Sequence, residues 1–192
     1  MIEYPTPTAH TTTHNVYACK NRHVPRFLST IPDSRLLPFP WEIPLDNWPD
    51  DLVVNLPKGL SRHIVRFIDI NGQVHAAKET LEHLAFHEYR LLNDLHRLGT
   101  PAVEPVAVVS DRTTSNEPLD AILLTRHLEF SLPYRSLFSQ GVRHETTARL
   151  LDAMVVLIIR LHLTGFQWGD VSLSNILFRR DASEFAAYLV DA

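Results

Sequence analysis

The stretch Trp168-Gly169-Asp170-Val171-Ser172-Leu173-Ser174-Asn175, running into the apolar Ile176-Leu177-Phe178, constrains this chain more than any other. An Asp and an Asn with four residues between them, set ahead of a short apolar run, make a loop that presents a carboxylate and an amide oxygen together. Such a loop suits phosphoryl transfer: Asp170 at an acceptor hydroxyl, Asn175 returning its amide oxygen to a phosphate-bound magnesium ion. Taken alone, an Asp and an Asn in a loop are more often turn formers. Matching parts up- and downstream decide between the two readings.

Asn71-Gly72 lies between two strand-like runs, His63 to Ile70 and Gln73 to Lys78, and Asn-Gly is the strongest short hairpin signal. From Thr80 to Leu98 the spacing predicts a helix, with Leu81, Leu84, Leu91, Leu92, Leu95 and Leu98 as its apolar stripe and Gly99 and Pro101 as its stop. Glu88 stands within that stripe. A carboxylate on a buried helix face is costly unless a cation meets it, and Lys78, at the end of the preceding strand, is the nearest candidate. Singly, each would pass for a surface residue; together they form a lysine–glutamate pair able to hold phosphates. Downstream, Ala187-Tyr188-Leu189-Val190 reads as a strand ending on Asp191, a second candidate metal ligand. Ahead of the hairpin, Leu52 to Leu56 reads as a first strand. The turn Pro57-Lys58-Gly59-Leu60-Ser61-Arg62 could meet phosphate through the backbone at Gly59 and the hydroxyl of Ser61, although an ordinary basic turn reads equally well.

These residues bring a family into view. The run from Leu161 through Asp170 to Phe178, together with Gly59 to Phe67, Ser131-Leu132-Pro133-Tyr134-Arg135 and Phe178-Arg179-Arg180-Asp181-Ala182, resembles the kinase-like proteins grouped with bacterial lipopolysaccharide (Kdo) kinases. More closely, it resembles a bacterial family of unassigned function in that group, over roughly Leu37 to Ala192. The resemblance implies an α+β, protein-kinase-like fold: a small antiparallel-sheet N-lobe with one helix, then the beginning of a mainly helical C-lobe. It implies that Lys78 contacts nucleotide phosphates, Glu88 holds Lys78, Asp170 is the catalytic base, and Asn175 and Asp191 bind magnesium. Arg126-His127-Leu128 would be the hinge meeting the adenine, mostly through backbone groups. The pattern departs from the family's in three places. Trp168-Gly169 replaces the usual His-Arg or His-Gly, only Gly59 remains of the glycine loop, and Ala192 follows Asp191 where Phe-Gly is usual.

Composition is compatible with this reading. Hydrophobic residues make up 45% of the 192, enough for a packed core, and a net charge of −4 gives no sign of nucleic-acid binding. No apolar run approaches a membrane span, and the lone Cys19, read as an inert thiol, suits a reducing, cytoplasmic setting. The expected organisation is a disordered tail over 1–30, a Pro/Trp-rich arm over 31–50, an N-lobe over 51–128 and a partial C-lobe over 129–192. Val103 to Val109 and Ala121 to Thr125 complete the N-lobe sheet, around a polar loop from Asp111 to Pro118. His83 and His87, one helical turn apart, have a ligand spacing, but a solvated helix face is favoured because no third ligand accompanies them. His162 is expected to brace the loop. The helix Glu145 to Leu163 is apolar nearly all round and expects burial on every side, which suggests a chain truncated after the metal-binding Asp and inactive as it stands.

The leading expectation is an ATP- and magnesium-dependent phosphotransferase whose hydroxyl acceptor (sugar, glycan or protein) is not readable from the sequence. The alternative is a nucleotide-binding pseudokinase or scaffold module without transfer, and a third reading makes the Pro/Trp arm a recruiting segment.

Overall fold

The structure, a computed structural model, describes residues 24–56, 63–115, 117–138, 144–169, 171–181 and 184–191. Cys19, Gly59, Ser61 and Asp170 lie outside the described residues, as does most of the tail. The chain runs β1 (Arg26–Ser29), β2 (Val53–Val54), β3 (Ile64–Ile70), β4 (Gln73–Thr80), α1 (Glu82–Arg97), β5 (Pro105–Ser110), a small hairpin of β6 (Thr113–Thr114) and β7 (Glu117–Pro118), and β8 (Ala121–Arg126). Then follow β9 (Ser131–Pro133), α2 (Tyr134–Phe138), α3 (His144–Leu163), β10 (Ile176–Asp181) and β11 (Glu184–Leu189).

The first sheet is antiparallel throughout, in the order β1-β5-β8-β4-β3-β2. Its hairpin turns at Asn71 and Gly72, both at positive φ (56° and 80°), as the turn matching strand twist requires. The Asp69 carboxylate accepts from the Gly72 amide at 2.6 Å. Alternation along β4 sends His75, Ala77 and Glu79 to one face and Ala76, Lys78 and Thr80 to the other. On the first face, Ile68, Ile70, Ala77, Ile122 and Leu124 pack under Leu36, Trp41, Leu45 and Trp48 of the Pro/Trp segment. Phe39 stacks on Trp48 (5.8 Å, 18°), and the indole N–H groups of Trp41 and Trp48 donate to the carbonyls of Leu36 and Ile43. On the second face, Ala85 and Tyr89 of α1 pack on Val108, Ala121 and Leu123.

The segment is bolted down by Arg112, which is 1% exposed. Its guanidinium donates to the carbonyls of Trp41 (2.8 Å), Ile43 (2.6 Å) and Asp120 (2.6 Å) and to the carboxylate of Glu79 (2.7 Å). Glu79 in turn accepts from the Leu45 amide. Burial lowers the Arg112 pKa from its ordinary value, against the hydrogen bond and charge of Glu79.

Two expectations are corrected. Arg26–Ser29, assigned to the tail, is an edge strand paired with β5. The stripe of α1 is turned: Ala85, Glu88, Tyr89, Leu92 and Leu95 are buried, whereas Leu81, Leu84 and Leu98 are exposed, because the sheet beneath accepts small and aromatic side chains there. The apolar circumference of α3 is covered on one side only, as expected of this chain: Leu150, Ala153, Leu157 and Leu161 are buried, and Leu151, Val155, Val156, Ile159 and Leu163 face outward.

The second sheet, β11-β10-β9, packs with α3 around Trp168, Phe178 and Leu189. Across the two parts of the molecule, the Val103 amide donates to the Leu189 carbonyl (2.9 Å) and the Leu189 amide to the Pro101 carbonyl (3.0 Å). Those bonds fix the end of β11, and with it Asp191, against the loop that leaves α1.

Candidate active site

Between the two sheets lies a cleft of about 1480 Å³. Its upper wall is the inward row of the first sheet: Val65, Phe67, Ala76, Lys78, Leu123 and Thr125. Its lower wall comes from Leu177 and Val190 and from the loop around Trp168, Gly169 and Asn175.

Lys78 reaches this cleft because the two-residue period of β4 places it on the same face as Ala76. Its ammonium donates to the Glu88 carboxylate, which α1 brings in from a 5%-exposed position, and to Asp191 Oδ1 at 2.9 Å. One cation therefore faces two carboxylates. Burial opposes the charge on Lys78, but Glu88 and Asp191 outweigh it and hold the ammonium above its ordinary pKa. For Glu88 the balance is reversed. Burial, reinforced by the charge of Asp191, overcomes the pull of Lys78 and pushes the carboxyl up to about 7. Both directions follow from one fact: a single ammonium neutralises only one of the two carboxylates, so the cluster retains protons.

Asn175 ends a single 3-10 turn, Leu173–Asn175, whose start is capped by the Ser172 hydroxyl accepting from the Ser174 amide at 3.2 Å. The Asn175 carbonyl accepts from the Val190 amide at 3.0 Å, which sets Asn175 beside Val190-Asp191 at the cleft. The loop leaves α3 through Gly165, at φ 78°, with the Phe166 amide turning back to the Leu161 carbonyl at 2.9 Å. Trp168 is buried in the core below, and its bulk anchors the loop from inside. His162 is exposed, and among the described residues its side chain makes no hydrogen bond to the loop.

At the other rim, the Arg126 amide donates to the Glu104 carbonyl (2.8 Å) and the His127 amide to the Val74 carbonyl (3.0 Å). These two donors are spent inside the protein. The Leu128 amide has no backbone partner among the described residues. The His127 ring stands edge-on to Phe67 at 5.3 Å; burial lowers its pKa, against the charge of Glu129.

The sequence-predicted Lys78, Glu88, Asn175, Asp191, Arg126, His127 and Leu128 all line this cleft. His83 and His87 are exposed, and among the described residues no group of three or more His, Cys, Asp or Glu is placed to hold a metal. Sequence reasoning missed the apolar walls, although the alternation on β3 and β4 could have named Val65, Phe67 and Ala76.

The model of the lipopolysaccharide kinase (Kdo/WaaP) family matches residues 73–192. The chain belongs to this family. Among solved structures, it is similar to a WaaP in complex with acyl carrier protein, with 19% identity and a TM-score of 0.55 over 86% of this chain and 70% of that one. At that identity the likeness establishes the fold, which is protein-kinase-like and α+β. No curated protein sequence matches. Among the described residues, no helix is long and apolar enough to cross a membrane.

Proposed function

We propose that this chain is an ATP- and magnesium-dependent phosphotransferase that transfers phosphate to a sugar hydroxyl of a lipopolysaccharide-type acceptor. The observation that carries the reading is the cluster Lys78–Glu88–Asp191, with Asn175 beside it, where the two walls of the cleft meet. Residues 51–128 are read as the nucleotide-holding lobe and 129–192 as the part bearing the catalytic loop.

The donors suit the metal. Asn175 offers an amide oxygen and Asp191 a carboxylate, the hard oxygen set that magnesium takes in preference to zinc or copper. The bound metal would neutralise charge on the phosphate oxygens. Lys78 adds its own positive charge there, and Glu88 keeps the ammonium aimed into the cleft. Asp170 accepts the proton of the acceptor hydroxyl. The Leu128 amide gives the adenine edge a donor, and Val65, Ala76 and Leu177 exclude water around the ring. In this chemistry positioning and electrostatic stabilisation supply most of the rate.

The test is transfer of labelled phosphate from ATP to purified lipopolysaccharide, with nucleotide binding measured by calorimetry with and without magnesium. The expected result is transfer and magnesium-strengthened binding by the wild type, an outcome that would set aside the expectation of an inactive chain. Asp170→Asn should lose transfer by a hundredfold or more on the scale of general-base removal, with binding nearly intact. Nucleotide affinity independent of magnesium, or transfer unaffected by Asp170→Asn, overturns it.

A further inference from the structure

Phe130 breaks two rules at one position. It is 88% exposed, and its backbone φ is +58°. Among the described residues the other non-glycine positions at positive φ are Asn71, Asp111 and Ser115, all turn formers with short polar side chains. A bulky aromatic residue seldom adopts that conformation. The turn Leu128-Glu129-Phe130-Ser131 is closed by the Ser131 hydroxyl donating to the Leu128 carbonyl at 2.6 Å. Glycine at position 130 would make the same turn without strain. The turn therefore does not explain the phenyl ring, and neither does packing, since the ring is bare.

Strain held at a ligand cleft points to what the side chain does there. Phe130 lines the same cleft as Lys78 and stands two residues beyond Leu128, with Glu129 between them. The closed turn keeps its backbone close to the Leu128 amide. An aromatic face tethered beside an amide that has no backbone partner among the described residues is what a flat heteroaromatic base needs: an edge contact and a surface to stack on.

We propose that Phe130 is a base-contacting residue, its ring closing over the purine of a nucleotide held in the cleft. The proposal rests on the nucleotide reading given above. It assigns the bare ring a partner and makes the turn's conformation the means of aiming it.

The experiment compares the binding of ATP and of inorganic tripolyphosphate, both with magnesium, to the wild type, Phe130→Gly and Phe130→Tyr, together with each protein's Tm. Phe130→Gly should weaken ATP binding five- to twentyfold, leave tripolyphosphate binding within twofold, and hold or raise the Tm as strain is relieved. Phe130→Tyr should bind ATP within twofold of the wild type. Unchanged ATP affinity in Phe130→Gly, equal losses for both ligands, or a lowered Tm would each overturn the base contact, the last by showing a structural ring. Wild-type protein that binds neither ligand overturns the nucleotide reading and this inference with it.

Discussion

Glu88 shows how one residue bears on both a stability profile and an activity. Its carboxyl in the folded chain sits at about 7, above the ordinary 4.5. A raised folded value means stability is fully present below the ordinary value and is lost as pH climbs through about 7. Glu88→Gln, neutral and nearly isosteric, removes that dependence. Its Tm relative to the wild type should therefore improve from pH 5 to pH 8, as thermal melts at both pH values will show; a constant difference refutes the assignment. The same substitution should cripple transfer, because Lys78 loses the carboxylate that aims it. These residues were legible in the sequence because each breaks a pattern: Glu88 interrupts an apolar stripe, and Lys78 ends a strand just before it. The Leu128 and Phe130 geometry was not legible, since backbone hydrogen bonding and a positive φ at an aromatic residue leave no mark in residue identity.

At the level of elements, long-range pairing decided what local pattern could not. The hairpin at Asn71-Gly72 and the existence of α1 follow from turn chemistry and periodicity. The face that α1 buries does not, because Ala85 and Tyr89 meet the sheet while the leucines Leu81, Leu84 and Leu98 stay out. Arg112 is the sharper case. It falls in a stretch that reads as a polar loop, yet it is the most deeply enclosed charge described, holding three carbonyls and Glu79 between the Pro/Trp segment and the sheet. Nothing local marks it, because its partners lie 8 to 71 residues away. Removing one side of a buried ion pair strands the other, at a cost of about 3–5 kcal/mol. Arg112→Ala should therefore lower stability by that amount in urea denaturation, and Glu79→Gln by less, since the amide still accepts from Leu45 and Arg112. A loss under about 1 kcal/mol for Arg112→Ala would show that the segment is held by its indoles alone.

On the scale of the whole molecule, α3 is the element whose sequence and surroundings disagree. The described residues cover one face, through Leu150, Ala153, Leu157 and Leu161, against β11 and the core around Trp168. The opposite side keeps Leu151, Val155 and Ile159 in line at four-residue spacing, with Val156 alongside and Leu163 82% exposed at the end. Full burial of such a side chain contributes about 1.5–3 kcal/mol; all but Leu163 are about half covered already, so those four each retain roughly half of that to gain from a partner surface, and Leu163 retains most of it. Five of them side by side form a contiguous apolar strip of the kind that soluble surfaces seldom leave bare. This chain on its own should therefore self-associate. Sedimentation velocity over a concentration series should show mass rising above the 21.9 kDa of one copy. Val155→Lys with Ile159→Lys should return it to a single species while leaving thermal stability nearly unchanged, because both side chains are outward and surface substitutions usually act within about 0.5 kcal/mol. A wild-type chain that stays at one-copy mass at the highest concentration would mean that the strip is shielded, while a double variant that still associates would place the sticky surface elsewhere, with the edge strand β1 the next region to probe.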